Sequence, residues 1–283
     1  MALKSARHAP ANGRSSKDAF SIILPYYNEA DFLEQTLTCW LMQTRRPDQI
    51  ILIDNASTDG SEDIARRTLE CVQDISIVYL QEPRPGKVHA LETGCRAITG
   101  EFAVMSDADT RYPPHYLQLC EQLFSDADEK TAVLMALPET DHPEAYLSRI
   151  RRLYFIILHK LYRKHAFTGG YGQIYRTAAL AKTGGFSERY WPHVLMDHEI
   201  MYRIFKFGRS LYHIDLWCQS SLRRQDRRRV RWNLLERILY MLIPHSFQGW
   251  FFHRFLDNRF SKRGLNHLRL RERPWQTADT NPK

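Results

Sequence analysis

Glu101-Phe-Ala-Val-Met-Ser106-Asp107-Ala-Asp109 is an apolar run that breaks into two carboxylates. Residues 102–105 carry no polar side chain and have the length of a buried strand, which Ser106 ends. Side chains two apart at a strand end project to the same side, so Asp107 and Asp109 can converge on one point. Two anionic oxygens beside a sheet suit a hard divalent cation, Mg2+ or Mn2+, which keeps several waters and takes substrate phosphates as its other ligands. The same residue types also make a polar turn after a strand, a role Asp fills without any ligand.

Upstream the pattern repeats. Residues 20–24 are a β-rich apolar run ended by Pro25, followed by Tyr26-Tyr27-Asn28-Glu29 and a helical spacing across residues 30–43. Gln49-Ile-Ile-Leu-Ile53 runs directly into Asp54-Asn55-Ala-Ser-Thr-Asp59-Gly60-Ser61. Residues 62–69 read as a helix, 75–80 as a strand, Arg84-Pro-Gly86-Lys87 as a loop and 88–98 as a helix. Four apolar strands alternating with helices predict an α/β, Rossmann-like fold: a mostly parallel sheet with helices on both faces. Such sheets bind ligands outside the carboxyl ends of their strands. The clusters at Asn28 and Glu29, at residues 54–59, and at Asp107 and Asp109 all fall there.

Downstream the character changes. Residues 145–165 predict an amphipathic helix, with Leu147, Ile150, Leu153, Tyr154, Ile157, Leu158 and Leu161 on one side. A glycine-rich stretch, Thr168-Gly169-Gly170-Tyr-Gly, precedes Gly184-Gly-Phe186, and Met196-Asp197-His198-Glu199 opens a helix that Gly208 is placed to end. Beyond Leu211 the chain turns aromatic and Arg-rich, with Arg223, Arg224, Arg227, Arg228, Arg231 and Trp232 and then Trp250, Phe251, Phe252 and Phe255. We divide it into a disordered leader (residues 1–18), a catalytic domain (19–212) and a basic, aromatic, helical C-terminal extension (213–283).

Composition sets limits on function. The 283 residues are 43% hydrophobic, enough for a full core, and carry a net charge of +8, mostly acquired beyond residue 145. That asymmetry points to an anionic partner: nucleic acid, a phospholipid surface or a phosphorylated substrate. Five scattered cysteines without a CxxC pair read as reduced thiols of a cytosolic protein. The N-terminus has no signal-like apolar stretch, and no run approaches the roughly eighteen apolar residues of a membrane span. Membrane contact, on this reading, is peripheral.

In order, Pro25-Tyr-Tyr-Asn28-Glu29, Asp54-Asn-Ala-Ser-Thr-Asp59-Gly-Ser, Pro85-Gly86-Lys87, Asp107-Ala-Asp109, Gly184-Gly-Phe186 and Asp197 with Arg203 and Gly208 resemble the family 2 inverting glycosyltransferases of bacteria. The likeness covers about residues 19–210 and implies the single Rossmann-like fold called GT-A. It implies a nucleotide-diphosphate sugar donor held by Pro25, Tyr27, Glu29, Asp54, Asn55, Gly86, Lys87 and Asp107. Pro25 and Glu29 would border base and ribose, Asp54 would accept a ring N–H of the base, uracil in first place, and Gly86 and Lys87 would lie near the diphosphate. Asp107 and Asp109 would hold Mn2+ or Mg2+. Asp197 takes the place of the catalytic base, although the family commonly has Glu-Asp where this chain has Met196-Asp197. His198 and Glu199 are the substitutes, Asp197 as a helix cap is the competing role, and His193, His198 and His213 lack ligand spacing. Gly169, Gly170, Arg227 and Arg228 are assigned to the sugar or acceptor pocket.

Trp232 stands too far from Gln225 for the Gln-x-x-Arg-Trp signature of processive members, so one sugar is expected per cycle. The resemblance implies a glycan or lipid-linked acceptor of the cell envelope and a cytoplasmic location at the inner face of the plasma membrane. The extension has three readings: docking on anionic lipid through Trp250, Phe251, Phe252 and Phe255, binding a phosphorylated acceptor through Arg, or packing on the catalytic domain. Two other classes compete. A nucleic-acid binder would use the Arg and aromatic third but leaves the strand-end carboxylates unexplained, and we expect no nucleic-acid partner. A sugar-phosphate nucleotidyltransferase would open with a glycine-rich basic loop where this chain has Tyr26-Tyr27-Asn28-Glu29.

Overall fold

The computed structural model describes residues 18–139, 145–221 and 232–270. Eight strands form one sheet in the order β3-β2-β1-β4-β7-β6-β8-β5. β1 (Phe20–Tyr26), β2 (Gln49–Asp54), β3 (Ser76–Gln81) and β4 (Phe102–Met105) run parallel, joined by α1 (Leu33–Leu41), α2 (Ser61–Leu69) and α3 (Lys87–Cys95). Every residue of β1, β2 and β4 is buried, as expected for strands covered on both faces.

β1 does not stop at Pro25 but carries on to Tyr26, in register with Asp54. The carbonyl of Ile23 faces β4, where it accepts from Ser106, so the missing N–H of Pro25 also faces that side. β4 has already ended at Met105, and the ladder loses nothing.

The other half of the sheet is mixed. β5 (Thr110–Arg111) and α4 (Tyr116–Asp126) lead to β6 (Thr131–Pro138) and α5 (Tyr146–Leu161). Then come β7 (Gln173–Arg176), α6 (Thr177–Lys182), α7 (Met196–Ile204) and β8 (Arg209–Ser220). β7 is antiparallel to both β4 and β6, β6 and β8 are parallel, and β5 is antiparallel to β8. The division placed after residue 212 therefore falls inside β8, which pairs with β6 as far as Cys218.

A hydrophobic core lies on each face. On one, Trp40 packs against Tyr112 and Tyr116, with ring centroids 4.1 and 6.0 Å away. On the other, the extension joins the core: α8 (Leu234–Leu242), then α9 (Gln248–Trp250), a π-helical turn (Phe251–Leu256) and α10 (Asp257–Lys262). Phe251, Phe252 and Phe260 are fully buried there beside Trp191. Phe251 and Phe252 thus pack inside the protein instead of dipping into lipid, while Trp250 remains exposed. Residues 1–17, and with them nearly all of the expected leader, lie outside the described residues.

Candidate active site

Three strand-end segments and the start of one helix build the site. β2 delivers Asp54, which is buried and accepts the backbone N–H of Ser57 at 2.9 Å through Oδ1. That bond holds the following turn, with Ala56 at φ 60°. Across from it, Asn28, at φ 50°, takes the N–H of Thr58 on its side-chain oxygen at 2.7 Å. Glu29 is buried and fixed by its own N–H, which donates to Ser61 at 2.8 Å. Pro25 is buried within β1, and Tyr27, the first residue past the strand, is half-buried.

Asn55 acts on the neighbouring loop. Its side-chain amide donates to the carbonyls of Glu82 and Arg84 at 2.8 and 2.7 Å and accepts the N–H of Gly86 at 2.8 Å. This pins the turn into α3. Gly86 has φ 122°, a conformation L side chains rarely adopt, and a Cβ there would sit 2.1 Å from Nδ1 of His267. The helix starts at Lys87, whose ammonium reaches the carboxylate of Asp107.

The Ser106–Thr110 turn is held from α1. Trp40 Nε1 donates to Ser106 Oγ at 3.1 Å, and Thr36 Oγ1 donates to the carbonyls of Ala108 and Thr110 at 2.9 and 3.1 Å. Both carboxylates are buried; that of Asp109 accepts the Ser221 hydroxyl at 2.9 Å, while its backbone carbonyl accepts the Ser221 N–H at 3.0 Å. Two buried carboxylates at a strand end, one of them already beside a cation, are a donor set that fits Mg2+ or Mn2+.

Asp197 is the second residue of α7, behind Leu195 at φ 62°. One of its oxygens accepts the N–H of Gly170 at 2.8 Å, and the other faces the N–H and ring of His198 at 3.1 and 3.2 Å. Burial alone would raise its pKa. The neighbouring His198 ring and its hydrogen bond, the Lys87 ammonium and the Gly170 N–H overcome burial and hold the pKa down to about 2. Lys87 pairs with Asp107, and its charge adds a smaller part to the lowering at Asp197.

The remaining candidates sort themselves by geometry. Glu199 is fully buried and forks onto Arg203 with two contacts of 2.8 Å, and Arg203 in turn donates to the carbonyls of Thr183 and Gly185. It fastens the Gly184-Gly-Phe186 turn to α7 and is not placed to take a proton from an acceptor. His198 stacks near Trp232, 5.2 Å between centroids, and Tyr240. Gly170 lies against Asp197: a Cβ there would come within 3.2 Å of the Asp197 Cβ. Gly169 precedes it, and a Cβ at that position would meet the Tyr171 ring. Arg227 and Arg228 lie outside the described residues. Among the described residues His89, Glu188 and His267 also cluster, with ligand atoms within 4.8 Å of one another. Sequence reading missed His267 and Ser221, because each reaches its partner from far along the chain, and named Trp232 without its contact to His198.

The site thus combines a mixed α/β sheet, buried acids past its strand ends and an aspartate in the first turn of a helix, a layout that suits ligand binding at the carboxyl ends of the strands. The glycosyl transferase family 2 profile matches residues 21–184, and the chain belongs to that family of enzymes. The undecaprenyl-phosphate 4-deoxy-4-formamido-L-arabinose transferase of Serratia proteamaculans is 31% identical over 97 residues, 33% of this chain and 30% of that protein. The chain spans about a third of the length of such curated relatives. Its fold is similar to mannosyltransferase PcManGT from Pyrobaculum calidifontis in complex with GDP-Man and Mn2+, with TM-score 0.62 and 22% identity over 82% of this chain and 69% of that one. It is also similar to S. aureus TarS in complex with UDP, with TM-score 0.55 and 18% identity over 92% of this chain and 77% of that one. Among the described residues no helix is long and apolar enough to cross a membrane.

Proposed function

We propose that this glycosyltransferase moves one sugar from a nucleoside-diphosphate donor, a UDP-sugar in first place, to a hydroxyl of a cell-envelope glycan or lipid-linked acceptor, with inversion, at the inner face of the bacterial plasma membrane. The observation that supports this reading is the pair of buried acids Asp107 and Asp109 past the end of β4, with Lys87 bonded to Asp107, in a chain of the glycosyl transferase family 2. Pro25, Tyr27, Glu29 and Asp54 take the nucleoside, with Asp54 accepting a ring N–H of the base, while Asn55 holds the loop that presents Gly86 and Lys87 to the diphosphate. Gly169 and Gly170 shape the sugar or acceptor pocket, to which Arg227 and Arg228 also belong on this reading.

Asp107 and Asp109 would hold the Mn2+ or Mg2+, which would supply Lewis-acid neutralisation of the charge on the leaving diphosphate. Asp197 accepts the proton of the acceptor hydroxyl. The acceptor oxygen forms its bond to the anomeric carbon as the carbon–oxygen bond to phosphate breaks, and the electron pair leaves on the diphosphate. An aspartate held this low is a weak base at rest, but it is ionised at every working pH and takes the proton as the attacking oxygen becomes positive.

Titration calorimetry with UDP, first with Mn2+ and then with EDTA, tests the donor half. Metal-dependent binding that disappears in Asp107→Ala is the expected result. No binding of UDP, GDP or dTDP in the presence of Mn2+ would sink the proposal.

A further inference from the structure

Two helices of this protein leave an apolar stripe exposed, although Phe155 and Ile156 of one and Leu239 of the other pack against the core. On α5 the buried residues are Ser148 and Arg152, and Arg152 lies 3.3 Å from the buried carboxylate of Glu139. Leu147, Ile150, Leu153, Tyr154, Ile157 and Leu161 face outward, Leu147 with 76% of its surface exposed and Ile157 with 49%. On α8 the buried residues are Glu236, paired with Arg259 and Arg263, and Tyr240. Leu234, Leu235, Ile238 and Leu242 are the exposed ones, followed by Phe247 and Trp250. A soluble domain ordinarily buries such stripes.

The helices meet at one end. His165, just past α5, bonds the carbonyl of Tyr240 at 2.8 Å, the N–H of Ala166 donates to the Tyr240 hydroxyl at 2.9 Å, and Gln248 donates to the carbonyl of Lys164 at 3.1 Å. The exposed charged residues on the two helices themselves are all cationic. Residues 146–187 contain no Asp or Glu. Arg149, Lys160, Arg163 and Lys164 are exposed on or just after α5, and Arg237 and Arg254 are exposed near α8.

We infer that α5 and α8 together form a docking surface for an anionic lipid bilayer, with both helices lying in the interface plane. α5, at 16 residues, is about 24 Å long and too short to span the hydrocarbon core. Apolar side chains at helical spacing with aromatic members and cationic neighbours match the interior edge and headgroups of such a membrane. The same cations oppose a second copy, because a two-fold contact would set like charges against like. The surface also adjoins the site. The chain leaving α5 reaches Gly170, which donates to Asp197, and Tyr240 of α8 packs beside His198. Resting on the proposed transfer reaction, docking brings the Asp197 pocket to the bilayer surface, where the hydroxyl of a lipid-linked acceptor lies.

Flotation of the full chain with vesicles of phosphatidylcholine, and with vesicles of phosphatidylcholine mixed with phosphatidylglycerol, tests this. The protein is expected to float with the anionic vesicles only, and less as salt rises. The double variant Ile157→Glu with Ile238→Glu changes two exposed side chains and should keep its circular dichroism and UDP affinity. Its partitioning should fall by about tenfold or more, because each apolar side chain removed from the interface is worth that order. Wild-type protein left unbound by anionic vesicles overturns the inference, as does equal flotation with neutral vesicles or by the double variant. A dimer in sedimentation that the same substitutions dissolve also overturns it, assigning the face to a second copy. Flotation as expected in a protein that binds no nucleotide upholds the surface and removes the transfer reading alone.

Discussion

Asp197 is held below its ordinary pKa because the folded protein solvates its charge better than water does, despite burial. The folded value, about 2, lies under the ordinary 3.8, so the stabilisation is fully present above about pH 4 and is lost as pH falls through about 2. A shift of this size corresponds to about 2 kcal/mol at neutral pH. Asp197→Asn should therefore lower the urea midpoint at neutral pH, by an amount that shrinks on acidification. It should also keep UDP binding and lose about two to four orders of magnitude in transfer rate. Unchanged transfer would remove Asp197 from the base role. Spacing placed Asp107 and Asp109 just past a buried strand, but β4 ends at Met105 and both lie in the Ser106–Thr110 turn, where strand alternation no longer sets their direction. The partners of Asp197 were not legible: Gly170 and Lys87 come from other elements, and no local pattern announces them.

Elements were legible where packing is local and obscure where it is not. The apolar runs of β1, β2 and β4 announce themselves, because a strand covered on both faces has no polar position to spare. α5 shows the opposite case. Its periodicity gives the helix, but nothing in the pattern says which stripe faces inward, and here Arg152 and Ser148 do. α8 depends on one buried acid. Glu236 completes a capping box with Asn233, both bonds 2.8 Å, and also binds Arg259 and Arg263 at 2.9 Å. Glu236→Gln keeps the capping geometry and removes the charge. It should destabilise the protein by about 2 kcal/mol, the order of a hydrogen bond to a charged group. Chemical denaturation checks this, and an unchanged midpoint would show that the charge contributes nothing to holding α8.

At the scale of the whole molecule the extension continues the sheet of the catalytic domain through β8 and shares one of its cores. A chain ended after Leu211 loses most of β8, including the pairing of Trp217 and Cys218 with β6, the Ser221 bonds to Asp109, and the Phe251, Phe252 and Phe260 core. It should show no cooperative thermal transition, whereas the full chain shows one. A sharp melt of the short form would restore a boundary near residue 212. That boundary was drawn on composition, and composition changes at the surface while β8 carries the sheet through beneath it. Three of the non-glycine residues with left-handed backbone, Asn28, Ala56 and Leu195, stand in the turns that carry Glu29, follow Asp54 and precede Asp197. Ala56 and Leu195 gain nothing from that conformation on their own account, each costing on the order of 1 kcal/mol. Conformational strain is thus concentrated where the turns aim their carboxylates, so selection for thermal stability alone would relax these turns first and blunt the site as it did so.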